Sequence, residues 1–279
     1  MNYRHAFHAG GIADVFKHAV LVLLIEQLAR KATPFCYIDT HAGCGQYDLT
    51  AEAAAKTGEF RAGIGRLLDG APPPALARYA ALVRAAQPTL DALTVYPGSP
   101  ALAQALLRPQ DGIVLCELHP DDAAALRRRF RDDARVHVHA RDGYEALGAF
   151  VPPRERRGLV LIDPPYEERD ELVHVVAALR GAHRRWPTGQ YALWYPLKAR
   201  GALDRFHGAL VDSGLRKLMA VEFVAAPDET APDVLRGSGL ILVNPPWRLE
   251  DALAPLLDAL GPALGQPNAV RRLDWLVPE

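Results

Sequence analysis

Residues 35–45 read FCYIDTHAGCG, and this stretch decides the fold. A short apolar run ends in Asp39 and passes into a turn that contains Gly43 and Gly45. This pattern predicts a buried strand that feeds a loop whose backbone a ligand can approach closely. An ordinary tight turn is the alternative. Because the full G-x-G-x-x-G phosphate clamp is missing, the turn disfavours a dinucleotide cofactor.

Apolar runs and helix-like segments alternate along most of the remaining chain. The further predicted strands are 113–116, 136–139, 159–162, 191–195, 219–224 and 240–243. The predicted helices are 13–30, 100–107, 121–130, 143–150, 168–184 and 199–213. Such alternation favours a mostly parallel sheet with helices on both faces. We therefore expect an α/β chain with a doubly wound, Rossmann-like fold.

One interval breaks this rhythm. In such folds an acidic residue that holds a ribose ends the second strand, about 20 residues after the glycine turn, whereas Glu117 comes much later. The stretch between is rich in alanine and contains Pro72, Pro73 and Pro74. We predict a helical subdomain at 47–95, inserted within a single domain that spans 1–279. The alternative is a longer first crossover made of two ordinary helices.

Charge balance excludes one class of protein. Lys and Arg total 32 and Asp and Glu total 33, for a formal net charge of -1. A chain of this kind does not coat nucleic acid by bulk positive charge. Short basic clusters at 127–131, 154–157, 184–185 and 198–200 could still hold phosphates if some of them flank the site.

Cysteine and histidine usage bears on compartment and metals. The three cysteines form no C-x-x-C pair, which argues against a disulfide framework and a structural zinc site. His5, His8, His18 and His41 lack the spacing of a compact zinc site, so we expect no metal. The sequence shows no signal-peptide core and no apolar run near the ~20 residues of a membrane span. We expect a cytoplasmic protein that does not enter membranes.

Acidic residues follow two successive predicted strands. Glu117 closes the strand 113–116, where its carboxylate can accept hydrogen bonds from ribose hydroxyls. Asp142 and Gly143 follow the next strand, where an aspartate can bind an adenine amino group and a glycine lets a ring lie against the backbone. Each has a structural alternative, a loop cap for Glu117 and a helix N-cap for Asp142. Together they predict a nucleoside site.

The most informative motif is Asp163-Pro164-Pro165-Tyr166, directly after the strand 159–162. Two prolines stiffen the loop and remove two backbone donors, which leaves carbonyl acceptors at the site. An adenine exocyclic amine has its lone pair delocalised into the ring, and it becomes nucleophilic when acceptors engage its N–H groups. Asp163 and the Pro164 carbonyl would accept those groups, Asp163 would take the proton, and Tyr166 would stack on the extruded base. The alternative is a Pro-Pro turn capped by Asp163.

A second motif, Asn244-Pro245-Pro246-Trp247, has the same pattern after the strand 240–243. That strand follows 219–224 without a crossover helix, so we predict that it is antiparallel and ends at the opposite edge of the sheet. We therefore interpret this motif as structural.

The N-terminal part carries its own polar cluster. Tyr3, Arg4, His5 and His8 are followed by Asp14, Lys17 and His18 at the start of the first predicted helix. Asp14 is the expected capping residue of that helix.

Taken together, the motifs of this chain resemble those of the bacterial 23S ribosomal RNA (adenine(2030)-N(6))-methyltransferase family. The shared segments run nearly end to end and comprise YRHAFHAG, YIDTHAGCGQY, YPGSP, ELHP, RDG, GLVLIDPPYE, YALWYP, SGLILVNPPW and WLVPE. The resemblance implies an S-adenosylmethionine-dependent enzyme whose partner is 23S ribosomal RNA, with no obligate protein partner.

Carried onto matching positions, the resemblance also implies roles for individual residues. Cofactor contacts would come from His18, His41, Ser99, Glu117, Asp142, Gly143 and Asp163. Asp163 would be the proton acceptor, and Tyr3, His5 and Lys17 would face the RNA. Two alternatives stay open: a related enzyme that acts on DNA adenine or protein glutamine, and a catalytically silent RNA-binding protein. A nicotinamide-dependent oxidoreductase fits least, because the glycine pattern is wrong.

Overall fold

The computed structural model describes residues 4–89, 92–168, 170–198, 200–225 and 235–278. Its strands are β1 Cys36–Asp39, β2 Gln46–Asp48, β3 Val95–Pro97, β4 Gly112–Glu117, β5 Val136–Ala140, β6 Gly158–Ile162, β7 Gln190–Leu197, β8 Leu218–Val224, β9 Gly237–Val243 and β10 Val270–Val277. Its α-helices are α1 Ile12–Ala29, α2 Glu52–Thr57, α3 Arg66–Leu68, α4 Ala77–Ala85, α5 Ser99–Leu106, α6 Pro120–Phe130, α7 Gly143–Phe150, α8 Glu171–Arg185, α9 Arg200–Asp212 and α10 Glu250–Ala263.

Eight strands form one sheet in the order β10-β8-β9-β7-β6-β1-β4-β5. The run from β5 to β7 is parallel, so its carboxyl ends meet at one edge. β9 lies antiparallel between β7 and β8, as predicted from the missing crossover helix. The doubly wound fold expected from the sequence is thereby confirmed.

Helices cover both faces of this sheet. On one face α1, α5, α6 and α10 contribute to an apolar core that includes Tyr37 of β1. On the other face α7, α8 and α9 pack around a second core that includes Ile38, the next residue of the same strand. Successive side chains of a strand point to opposite faces, so a continuous apolar strand serves two cores at once.

Two elements near the C-terminus go beyond the predicted set. β10 pairs antiparallel with β8 at the edge of the sheet, and most of its residues are exposed or half-buried. Charged residues interrupt its sequence, so it lacks the continuous apolar run from which a buried strand is predicted. α10 contains Pro255 and Pro262, residues that normally interrupt a helix, although it packs against α1.

We predict a helical insert at 47–95. In the structure a separate two-stranded ribbon lies at the two ends of this stretch. β2 and β3 pair antiparallel with each other, and α2, α3 and α4 lie between them along the chain. A π-helical turn at Arg61–Gly65 packs against α1. A Cβ at Gly63 would lie 2.2 Å from the carbonyl oxygen of Gly10, so glycine is needed at this close approach. Among the described residues, no helix is long and apolar enough to cross a membrane.

Candidate active site

A cavity of about 840 Å³ opens at the edge where the parallel strands end. Open α/β sheets bind their ligands at this edge, because loops that follow neighbouring strands meet there. The cavity wall includes all the predicted site residues that the structure describes: His5, Lys17, His18, His41, Ser99, Glu117, Asp142, Gly143, Asp163 and Tyr166. Tyr3 lies outside the described residues.

Asp163 follows β6 and is held by a lysine from the first helix. The Lys17 ammonium lies 2.6 Å from Oδ2 of Asp163 and 2.8 Å from Oδ1 of Asp14. Lys17 is only 4% exposed. Burial alone would lower its pKa, but the two carboxylates outweigh burial and raise the pKa above its usual value. The site therefore contains a buried cation between two aspartates.

Asp14 is part of this network instead of the predicted helix cap. The N-cap of α1 is Gly11, and no side chain caps it. Oδ2 of Asp14 accepts a hydrogen bond from the Gly10 N–H at 2.9 Å and lies 2.9 Å from Nε2 of His5. Burial works to raise the pKa of Asp14, but the positive charges of His5 and Lys17 hold it well below its usual range. Asp14 thus anchors the segment that carries His5.

His18 and Ser99 line the cavity but are already bonded to protein groups. Nδ1 of His18 lies 2.6 Å from the Tyr96 hydroxyl, and the two rings stack at 5.6 Å. Burial lowers the pKa of His18 to about 3, so the ring is neutral at physiological pH. The Ser99 hydroxyl donates to Oδ2 of Asp39 at 2.7 Å.

Asp39 is a buried carboxylate that the sequence marked only as a strand end. It is 0% exposed, and its Oδ2 also accepts a hydrogen bond from the Tyr37 hydroxyl at 2.7 Å. The backbone N–H of His41 donates to Oδ1 at 3.3 Å. Burial raises the pKa of Asp39 to about 6. Through these bonds Asp39 orients Ser99 and the start of the glycine turn.

Glu117 ends β4 with both carboxylate oxygens fixed by backbone donors. Its Oε2 accepts from the Gly43 N–H at 2.8 Å and its Oε1 from the His119 N–H at 2.7 Å. Burial raises the pKa of this carboxyl above its usual value. A carboxylate can accept about four hydrogen bonds, so these two leave capacity for ligand hydroxyls.

Asp142 and Gly143 lie where β5 passes into α7. Oδ1 of Asp142 accepts from the N–H groups of Tyr144 and Glu145 at 2.9 and 3.0 Å, so this oxygen caps the helix. A Cβ at Gly143 would lie 2.5 Å from the Thr40 carbonyl oxygen and 2.6 Å from the ring of His41. The groups that approach this glycine in the protein are therefore the Thr40 carbonyl and the His41 imidazole.

The loop after Asp163 is held by β7. Tyr166 has a left-handed backbone, with φ of 53°. Its hydroxyl donates to the carbonyl oxygen of Trp194 at 2.5 Å, and the two rings meet with centroids 5.7 Å apart. Pro164 and Pro165 complete this side of the cavity wall.

Trp194 is a site residue that sequence reasoning missed. Ile162 is paired with Leu193 in the parallel β6–β7 register, so Trp194 follows beside Asp163. Its ring centroid lies 5.8 Å from the Lys17 ammonium. Its Nε1 is buried with no hydrogen-bond partner within the described part of the chain. In the sequence Trp194 is an aromatic residue inside a predicted strand, which does not indicate a site residue. Only the pairing register of β6 and β7 places it beside Asp163.

Topology separates the predicted basic clusters. Lys198 lines the cavity. The backbone of Arg157 pairs with the amino end of β1, and Arg185 donates to the Val151 carbonyl, so both lie toward the opposite edge. Arg127 belongs to the last turn of α6, whose first turn starts near the cavity. Of the four clusters, 198–200 is the one whose described residues reach the cavity wall.

The second Pro-Pro motif lies away from the cavity, as its antiparallel strand predicts. Nδ2 of Asn244 donates to the carbonyls of Pro187 and Gly189, both at 2.8 Å. These residues precede β7, so Asn244 lies at the amino end of that strand. Within the described ranges, no group of three or more His, Cys, Asp or Glu side chains is arranged to hold a metal ion.

Comparison with known proteins gives consistent matches over nearly the whole chain. A family model described as "Ribosomal RNA large subunit methyltransferase D, RlmJ" matches residues 32–277. Proteins called ribosomal RNA large subunit methyltransferase J are similar from Haemophilus influenzae, at 41% identity over 281 residues, and from Escherichia coli, at 43% over 283. Both alignments cover 100% of each chain. A crystal structure of a Legionella pneumophila protein superposes with a TM-score of 0.88 at 31% identity, covering 96% of this chain and 98% of that one.

Proposed function

Because the chain belongs to the ribosomal RNA large subunit methyltransferase D (RlmJ) family, we propose that it methylates the exocyclic N6 of a single adenine in 23S ribosomal RNA. S-adenosylmethionine is the proposed methyl donor. We place the activity in the cytoplasm, where ribosomal RNA is made, and propose no obligate protein partner.

The observation that carries the proposal is the environment of Asp163. Its Oδ2 is engaged by Lys17, whereas its Oδ1 accepts no hydrogen bond from any described residue. Pro164 lines the cavity beside it, and its backbone carbonyl is the proposed second acceptor. Two acceptors at this place suit an exocyclic amine, which has two N–H donors. A hydroxyl or a ring carbon would leave one of them unused.

These residues also suggest how the amine becomes nucleophilic. When Asp163 and the Pro164 carbonyl accept the two N–H groups, the nitrogen lone pair is less available to the ring and can attack a methyl carbon. The nitrogen would gain a positive charge as its bond to the methyl carbon forms, while the bond from that carbon to the sulfur of the donor breaks and sulfur keeps the electron pair. Asp163 would then take one proton from the nitrogen. Lys17 holds Asp163 in one orientation, and Tyr166 and Trp194 offer aromatic surfaces to the base. Positioning of this kind supplies much of the rate of a transfer reaction.

The remainder of the cavity fits the proposed cofactor. Glu117 has unused acceptor capacity for ribose hydroxyls, and Oδ2 of Asp142 makes no hydrogen bond with the described residues. Gly43 is left-handed, with φ of 60°, and a Cβ there would lie 2.2 Å from the Tyr47 hydroxyl. When bound, S-adenosylmethionine supplies a methyl group activated by a positively charged sulfur. The acidic residues of the cavity favour such a cation.

A transfer assay tests the proposal. Purified protein would be incubated with labelled S-adenosylmethionine and one of three acceptors: undermodified 23S RNA, adenine-containing DNA, or a glutamine-containing protein. We expect label in the RNA alone, mapped to N6 of one adenine. Asp163→Ala should remove it, whereas Trp247→Ala, in the second Pro-Pro motif and 85% exposed, should retain it.

Three outcomes would contradict the proposal. Label in DNA or protein would assign a different substrate to the same site. RNA binding without transfer would indicate the silent RNA-binding alternative. Undiminished transfer by Asp163→Ala would refute the role of this carboxylate.

A further inference from the structure

A stripe of side chains leads from the loop 163–166, here called the catalytic loop, to the mouth of the cavity. Trp194, Pro196 and Lys198 alternate along β7 and its continuation, and all three line the cavity. Alternate residues of a strand share one face, so the three form a continuous line. Trp194 lies beside Asp163 at its inner end, and Lys198 is exposed at its outer end.

The length of this stripe matches a short piece of nucleic acid. Four residues of extended strand span about 13 Å, so the stripe is long enough to contact more than one nucleotide of a single strand. The Lys198 ammonium has no carboxylate partner among the described residues, so its charge is available to a ligand.

A second cation is fixed beside the first. The Arg236 N–H donates to the Leu197 carbonyl at 2.8 Å, which joins the chain before β9 to the end of β7. Nε of Arg236 donates to the Lys198 carbonyl at 3.1 Å. Leu235 lines the cavity and is 48% exposed. This side of the mouth thus combines the charge of Lys198 with the apolar surface of Leu235, and Arg236 adds a second positive charge next to the cavity wall.

The rim after the catalytic loop has the opposite character. Glu167 and Glu168 follow Tyr166, line the cavity and are both exposed. Oε2 of Glu168 lies 3.7 Å from Nδ1 of His174. Because both side chains are largely exposed, this contact offsets little of the negative charge of Glu168. Glu168 therefore keeps most of its negative charge, which repels the phosphates of a nucleic acid. The mouth of the cavity therefore presents one face that attracts an RNA backbone and one that repels it.

We propose that the RNA strand carrying the target adenine leaves the cavity over the carboxyl end of β7. Pro196 and Leu235 contact the neighbouring nucleoside, and Lys198 and Arg236 bind the phosphates that follow. The inference rests on the proposed function, because it takes RNA as the substrate. It adds the path that the RNA takes out of the cavity and the residues that bind the RNA along this path.

The test compares charge-neutralising variants at two edges of the sheet. Lys198→Gln and Arg236→Gln remove the proposed phosphate contacts, and Arg154→Gln removes an exposed arginine from the loop before β6, at the opposite edge. Methyl transfer to a 23S RNA fragment is measured at several salt concentrations, with KM for RNA, KM for S-adenosylmethionine and kcat determined separately. RNA affinity is measured by anisotropy at the same salt concentrations.

We expect each of the two rim variants to raise KM for RNA several-fold while kcat and KM for the cofactor stay unchanged. The log-log slope of RNA affinity against salt should become shallower by about 0.7 for each contact removed from a single strand. Arg154→Gln should match the wild type, and Glu168→Gln should bind RNA at least as well as the wild type.

The two proposals fail in different ways. If the wild type methylates RNA but Lys198→Gln and Arg236→Gln keep its KM and salt slope, the path over β7 is wrong and the proposed function stands. A marked loss of RNA affinity in Glu168→Gln would also overturn the path. If the wild type transfers no methyl group to RNA, the proposed function is refuted and the path falls with it.

Discussion

The ammonium of Lys17 lies 2.6 Å from Oδ2 of Asp163, although the two residues are 146 positions apart in the chain. The same ammonium lies 2.8 Å from Asp14, which also binds the segment that carries His5. One buried cation therefore ties the first helix and the N-terminal segment to the catalytic loop. A change at Lys17 should affect chemistry and stability together.

Replacing Lys17 with methionine should lower kcat strongly and cost about 3–5 kcal/mol of unfolding free energy, because two largely buried carboxylates lose their counter-charge. Lys17→Arg keeps the charge and should recover part of both. The measurements are methyl-transfer kinetics and denaturant unfolding. If Lys17 only held RNA, Lys17→Met would raise KM for RNA and leave kcat and stability unchanged.

Tyr166 contributes a ring and a hydroxyl, and two variants separate them. Tyr166→Phe keeps the ring and loses the hydrogen bond to the Trp194 carbonyl, a loss of about 1 kcal/mol in loop stability. Tyr166→Ala also removes base stacking, and we expect a further loss of about 1–3 kcal/mol in RNA binding or turnover. Transfer kinetics on one RNA fragment would measure both. Equal activity of the two variants would contradict a stacking role for the ring.

Two glycines of α7 provide a matched pair. Gly143→Ala places a Cβ against the Thr40 carbonyl and the His41 ring, and we expect about 1–3 kcal/mol of destabilisation with weaker cofactor binding. At Gly148 nothing lies within 4 Å of an added Cβ. Gly148→Ala should therefore stabilise the helix by up to about 1 kcal/mol. Thermal unfolding and cofactor titration would test both, and similar behaviour of the two variants would disagree with the contacts at Gly143.

Asp39 should make stability depend on pH. Its pKa is raised from 3.8 to about 6 in the folded protein, so the folded state keeps a proton that the unfolded chain releases. The stabilisation is complete below pH 3.8 and is lost as the pH rises through about 6. A difference of about 2 pKa units corresponds to up to about 3 kcal/mol.

Asp39→Asn removes this titration. Unfolding free energies of the wild type and the variant, measured from about pH 4 to about pH 7, should show the wild type losing stability relative to the variant as the pH rises. A constant difference across this range would show that Asp39 ionises equally in the two states.

Local patterns were sufficient to predict most of the sheet. Apolar runs mark the buried strands β1, β4, β6 and β9 within a residue or a few of their ends, because a strand covered on both faces is continuously apolar. The edge strand β10 and the proline-containing α10 were missed because their sequences carry charges and helix breakers. Long-range pairing supports both elements in the folded chain.

The site residues also fall into those that local sequence patterns predict and those that depend on long-range contacts. The sequence alone determined that Glu117, Asp142 and Asp163 follow successive parallel strands, and such residues must meet at one edge of a sheet. It also determined which Pro-Pro motif lies at that edge. These conclusions depend only on the order and direction of strands, which local periodicity and the connections between strands reveal.

Only the tertiary structure decided how these residues are held. The Lys17 contact with Asp163, the Ser99 bond to Asp39 and the place of Trp194 beside the catalytic loop join segments far apart in the chain. Such contacts depend on strand register and on the rotation of a packed helix, which no local pattern records. Burial then shifts the pKa values of Asp39 and His18, because desolvation acts on a charge only after the surrounding chain has excluded water.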